Sequence, residues 1–187
     1  MVEQTFPAYD PLTRALTRPS FLSVLGGRAQ AAGESGETFG VCLVDVDLLK
    51  NVNDERGLVV GDEVLAALAQ RIRATLEQPG WRSMEHTLAR YDGDALIILV
   101  QPCDARQGET LAEALRFHVA ESPLHEGVSI TVSIAIAIYR IGESVDALLG
   151  RTEKALHVAK QFGRDRVEVS RSPASRPTRA KARRIRE

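Results

Sequence analysis

The chain has 187 residues, 44% hydrophobic and 26% charged, with a formal net charge of −1, an ordinary balance for one globular domain with a sizeable core. No run of about 18 apolar residues occurs, so a membrane-spanning helix is excluded, and the opening residues carry neither a basic head nor an apolar stretch, so a cytoplasmic protein without a secretory leader is expected. Seven Arg or Lys and one Glu crowd residues 171–187 and leave an acidic body ahead of them, which argues against general nucleic-acid binding by the body.

Residues 1–9 read as an irregular N-terminus, with the domain proper over 10–170 and a disordered basic tail over 171–187. The tail mixes Ser, Pro and Arg with few apolar residues. It is either a solubilising extension or a weak contact for RNA, anionic lipid or an acidic partner. Within the domain, a helix is predicted from Ser20 to Ala32, then a Gly-containing loop to Thr38. Phe39–Val46 is a nearly continuous apolar run, as in a strand buried on both faces. A polar run follows, and then apolar residues at Val60, Val64, Leu65, Leu68 and Ile72 mark an amphipathic helix. Thr87–Tyr91 and Ala95–Val100 read as a hairpin, with Asp92–Gly93 suited to a type I′ turn. A helix over Gly108–Ala120, a β-branched strand over Val128–Tyr139, a helix over Val145–Gln161 and a closing strand over Arg166–Val169 complete the order. This alternation implies a mostly antiparallel sheet backed by helices, not a doubly wound nucleotide fold. Cys42 and Cys103 lie in or beside apolar runs and read as buried thiols.

The polar residues at the strand ends carry the chemistry. Asp45 and Asp47 close the first long strand, and we expect them to leave it on opposite faces, one to serve a site and the other to cap a helix or hold a loop. Asp94 lies just past the hairpin turn. If the strands are neighbours, Asp45 and Asp94 converge, and paired carboxylates favour Mg²⁺; surface turn chemistry is the alternative. Lys160 and Arg164, four apart across the end of the last helix, are expected to share a face and either clamp phosphate or form a solvated basic helix end. Asn53 and Asp62 have the donors and acceptors to read a base edge such as guanine's; Asp62 could instead cap the helix beginning near it.

Five ordered blocks carry a resemblance to the GGDEF (diguanylate cyclase) family: DPLT at Asp10–Thr13, DVDLLKNVND at Asp45–Asp54, GLVVGDEVL at Gly57–Leu65, ARYDGDAL at Ala89–Leu96 and EKALHVAKQFGRDRV at Glu153–Val167. The resemblance implies a palm-like α/β (α+β) fold of the nucleotidyl-cyclase type, with helices around a mostly antiparallel sheet. It implies that Asp45 and Asp94, with the backbone carbonyl of Val46, bind Mg²⁺ or Mn²⁺ and carry catalysis in an active member. It further implies that Asn53 and Asp62 recognise guanine, and that Lys50, Lys160 and Arg164 hold phosphate. Active relatives join two GTP molecules into cyclic di-GMP across a head-to-head pair, so a homodimer or a separate regulatory protein is expected.

The signature turn departs from the family pattern. Asp92 replaces its first Gly, Ala95 its acid and Leu96 its Phe. Leu58 stands in place of a His, and His157 in place of a Tyr, where it is expected to pack on the sheet. Ser83 and His86 stand where the inhibitory R-x-x-D would lie, so that feedback site is expected to be absent. The expected function is binding of guanine nucleotide (GTP–Mg or cyclic di-GMP) or of a partner protein, with little or no synthesis. The alternatives are a slow diguanylate cyclase and a non-enzymatic scaffold acting through its basic tail.

Overall fold

The computed structural model describes residues 8–170. The basic tail expected over 171–187 and most of the irregular segment expected over 1–9 lie outside the described residues. The elements follow in the order β1 (Leu16–Thr17), α1 (Arg18–Ser35), β2 (Gly40–Val46), α2 (Leu49–Arg56), α3 (Leu58–Leu76), β3 (Glu85–Asp92), β4 (Ala95–Gln101), α4 (Ala105–Ala120), β5 (Val132–Ile138), α5 (Val145–Gln161) and β6 (Val167–Val169). The strands form one sheet in the order β1-β3-β4-β2-β5-β6. The inner pairings β3–β4, β4–β2 and β2–β5 are antiparallel, while the short edge strands β1 and β6 run parallel to their neighbours. This is the mixed α/β, mostly antiparallel architecture that the order of elements predicts.

Helices cover both faces of the sheet. Val64, Leu68 and Ile72 of α3 and Leu111 and Leu115 of α4 pack with Cys42, Val44 and Val46 of β2. On the opposite face, Phe21 and Leu25 of α1 and Leu148 and Leu156 of α5 pack with Val41 and Leu43. Cover on both sides is why β2 is apolar almost throughout instead of alternating. Full burial of one such Ile or Leu stabilises the fold by roughly 1.5–3 kcal/mol. The start of α4 is set by a reciprocal cap: Asp104 accepts from the Gln107 N–H at 2.8 Å and Gln107 accepts from the Asp104 N–H at 3.0 Å, which satisfies two otherwise unpaired donors.

Several local expectations change. The polar run after β2, to which no element is assigned from sequence, is a helix, α2, that contacts α3. Leu16–Thr17, where no element is predicted, pairs with Ala89 and Arg90. Asp92 pairs with Ala95 across the hairpin, but Asp92, Gly93 and Asp94 all lack positive φ, so the turn is not type I′. A register shift between Arg90 and Asp92 supplies the extra twist instead. Cys42 and Cys103 are buried free thiols, as their apolar surroundings imply; burial pushes the Cys103 thiol up to about 12.

Candidate functional site

Asp45 is the penultimate residue of the seven-residue β2 and a carboxylate only 6% exposed. Its strand partners are Ala95 of β4 and Ser133 of β5. Burial raises its carboxyl to about 6, and the nearby charges of Asp94 and Asp47 push the same way; the Lys160 ammonium opposes them. Lys160 Nζ lies 2.6 Å from Asp45 Oδ1, a close ion pair whose geometry falls short of an aligned hydrogen bond. Asp94 immediately precedes Ala95, the strand partner of Asp45, and its charge adds to the upward shift. The Asp47 N–H bonds the Thr131 carbonyl on β5's side, so Val46, one residue earlier, turns its own N–H and C=O toward β4 and the hairpin.

Asp47 does not diverge from Asp45. It is also buried, and it accepts from Ser133 Oγ at 2.6 Å, on the residue that pairs with Asp45. Two-residue spacing returns a strand to the same face, so the expected opposite facing is corrected. Asp47 does hold a loop: it also accepts from Thr131 Oγ1 at 2.7 Å and from the Asp165 N–H at 2.9 Å.

Asn53 lies on α2 and Asp62 on α3. The Asn53 carboxamide is wedged against Gly61, where an added Cβ would sit 1.8 Å from Oδ1. That oxygen is buried without a hydrogen-bond partner, an uncommon state for an acceptor. Asp62, the next residue after Gly61, is exposed. It caps nothing, because α3 begins at Leu58 after Gly57. The buried Asn53 acceptor thus lies against the residue that precedes the exposed Asp62.

The expected cations separate. Lys160 is on α5 and reaches Asp45. Arg164 does not continue that helical face: α5 ends at Gln161, and Gly163, Arg164 and Asp165 have φ of 110°, 63° and 42°. The Arg164 N–H bonds back to the Ala159 carbonyl at 3.1 Å, so the turn wraps the helix end. Lys50 is exposed and pairs with Asp54 at 2.5 Å. His157 is exposed on α5 and does not pack on the sheet; its position falls on the helix's outer surface.

The family model described as "Diguanylate cyclase, GGDEF domain" matches residues 7–166. The chain belongs to the GGDEF family. It is similar to Diguanylate cyclase DgcP of Pseudomonas aeruginosa, at 32% identity over 86% of this chain and 24% of the relative. It is also similar to Diguanylate cyclase A of Treponema denticola, at 33% identity over 76% of this chain and 38% of the relative. It therefore spans about a quarter to two fifths of these relatives. Among solved structures, the GGDEF domain of DgcB from Caulobacter crescentus in complex with c-di-GMP superposes with a TM-score of 0.79 at 27% identity, covering 90% of this chain and 99% of that one. Diguanylate cyclase SiaD in complex with its activator SiaC, from Pseudomonas aeruginosa, superposes with a TM-score of 0.79 at 27% identity, covering 86% and 61%.

In the hairpin, Ala95 is buried directly opposite Asp45. Leu96 is buried in the core with α3 and α4. Asp92 is exposed, and its Oδ1 accepts from the Gly93 N–H at 2.9 Å. It lines a cavity of about 300 Å³ with Asp10, Arg18 and Arg90; the carboxylates that raise Asp45 are Asp94 and Asp47. Arg90 is a residue that sequence reasoning passed over. Its guanidinium donates twice to the Gly93 carbonyl, at 3.1 and 2.8 Å, and pairs with Asp10 at 3.1 Å. Burial favours the protonated Asp10, but hydrogen bonds from Thr13 and Arg90 outweigh it and hold that carboxyl below its usual range. An Arg within an apolar strand, two residues from a turn, is the signal that would have found it.

Proposed function

We propose that this GGDEF domain binds guanine nucleotide with Mg²⁺ and forms little or no cyclic di-GMP. The observation that carries the binding is the orphaned, buried Asn53 Oδ1 held against Gly61 beside Asp62. Guanine offers a ring N–H and an exocyclic amine to such acceptors. Asp45, Asp94 and the Val46 carbonyl are hard oxygen donors and fit Mg²⁺ or Mn²⁺, although among the described residues no three His, Cys, Asp or Glu side chains gather as a metal cluster. A metal held there supplies charge neutralisation for phosphate oxygens. Lys160, now on Asp45, is placed to turn toward those oxygens, with Lys50 and Arg164 as further cations. The weak or absent synthesis rests on Ala95: no acid faces Asp45 across the ladder. Loss of a positioned acid or base costs roughly 10²- to 10⁴-fold in rate.

Calorimetric titration with GTP, with and without Mg²⁺, and chromatography of the mixture test the proposal. Mg²⁺-dependent heat with a trace of product or none is expected. Absence of both heat and nucleotide-induced thermal stabilisation would leave only a protein-binding role, of the kind that the SiaD–SiaC complex exemplifies for that cyclase. The retained Asp45 and Asp94 favour a second reading, a slow cyclase. That reading requires product that disappears in Asp45→Ala and in Asp94→Ala.

A further inference from the structure

We propose that Asp47 is a positioning residue that sets the turn after α5 and so presents Arg164 as a phosphate-binding cation, an assignment that rests on the nucleotide-binding reading above. Its carboxylate is buried and accepts from Thr131, Ser133 and the backbone N–H of Asp165. Three donors from two separate segments satisfy most of a carboxylate's acceptor capacity, so Asp47 serves the fold of the turn and not a ligand.

The turn needs such a holder. Gly163, Arg164 and Asp165 are successive left-handed residues, and for the two with side chains this backbone is strained. Strain of this kind persists only where the surroundings over-determine it. Asp47 holds Asp165 by its N–H. From the other side, Arg116 of α4 holds the Asp165 carboxylate at 2.7 Å and is itself steadied by Glu113 at 2.8 Å. Between these anchors the Arg164 side chain is exposed and makes no hydrogen bond or ion pair among the described residues. Two anchored neighbours around one unengaged cation describe a residue held out for something outside the chain. Lys160 lies on the last turn of the same helix, so Arg164 and Lys160 sit at the same end of α5.

The test compares GTP with guanosine, which lacks phosphate, by calorimetry on Asp47→Ala, Asp47→Asn, Arg164→Ala and the Asp47→Ala/Arg164→Ala double variant. Loss of one charge-assisted contact predicts GTP binding weaker by roughly tenfold or more in Asp47→Ala, with guanosine unchanged. Asp47→Asn restores most of that affinity, because its oxygen keeps the Thr131 and Asp165 bonds and its amide can donate to Ser133. The double variant binds GTP no more weakly than Arg164→Ala alone. Losses that add, or an Asp47→Asn variant as weak as Asp47→Ala, would overturn the assignment. Should Asp47→Ala not fold, Arg116→Ala carries the same comparison, and unchanged GTP affinity there overturns it. If the wild-type chain binds no GTP, the nucleotide reading fails by itself. Amide exchange at the Asp165 N–H then decides the positioning role: faster exchange in Asp47→Ala than in Asp47→Asn supports it, and equal protection refutes it.

Discussion

Replacing Asp45 by Asn should stabilise the domain at alkaline pH, and the size of the gain follows from the burial of the carboxylate. In the folded chain the Asp45 carboxyl is raised from 3.8 to about 6, by burial first and then by the charges of Asp94 and Asp47. A raised acid binds its proton more tightly folded than unfolded. Stability from this group is thus fully present below about pH 4 and declines as pH rises toward about 6, above which the cost is constant. The full cost of ionising Asp45 is roughly 3 kcal/mol. Asn removes that charge but also releases Lys160, whose side chain is 35% exposed and can hydrate, so a net gain of about 1–2 kcal/mol is expected near pH 8. For a domain of this size that is about 2–8 °C in melting temperature. Thermal melts of both proteins from about pH 4 to 8 should show the gap opening between about pH 4 and 6. Mg²⁺ should raise the wild-type melting temperature above about pH 6 and leave Asp45→Asn unmoved. A variant no more stable than wild type near pH 8, or a gap independent of pH, would refute the reasoning.

Gly61→Ala places a Cβ 1.8 Å from Asn53 Oδ1 and must expel that side chain. It should cost about 1–3 kcal/mol of stability and erase any preference for GTP over ATP, as read by melting and by competition binding. Arg90→Ala removes the grip on Gly93 and leaves Asp10, 14% exposed, without its cation. About 2 kcal/mol should be lost near neutral pH. Because Asp10 is held below its usual range, its share of that stability is present above its unfolded pKa and fades as pH falls, so the gap to wild type should narrow below about pH 4 in acid-denaturation curves, leaving the part owed to the Gly93 bonds. Ala95→Glu returns an acid opposite Asp45 and should raise cyclic di-GMP formation by about 10²-fold or more, measured by product chromatography. No gain, even combined with Asp92→Gly, would show that the missing acid is not what limits synthesis.

The legible parts of the fold are those written in local pattern. The apolar run at Phe39–Val46 and the three- and four-residue spacing from Val60 to Ile72 foretell β2 and α3 because burial follows strand and helix periods directly. α2 escaped this reading because LKNVNDER has no apolar stripe; it forms after β2 and is held by contact with α3. β1 is two residues long and exists only through its pairing with β3.

The candidate site divides in the same way. Its residue types and order, Asp45 through Arg164, were readable because five spaced blocks together are specific. Tertiary structure alone decided that Asp47 shares a face with Asp45 and ties down Asp165, that Lys160 rests on Asp45, that Arg164 leaves the helical face, and that Arg90 joins Asp10 to the signature turn. Sequence by itself determined the elements that carry an apolar pattern and the chemistry available, because apolar periodicity acts between near neighbours. Which charges meet was left to the folded chain. Asp10 and Arg90 are 80 residues apart and Asp47 and Asp165 are 118 apart, and only closure of the sheet brings such groups within hydrogen-bonding reach.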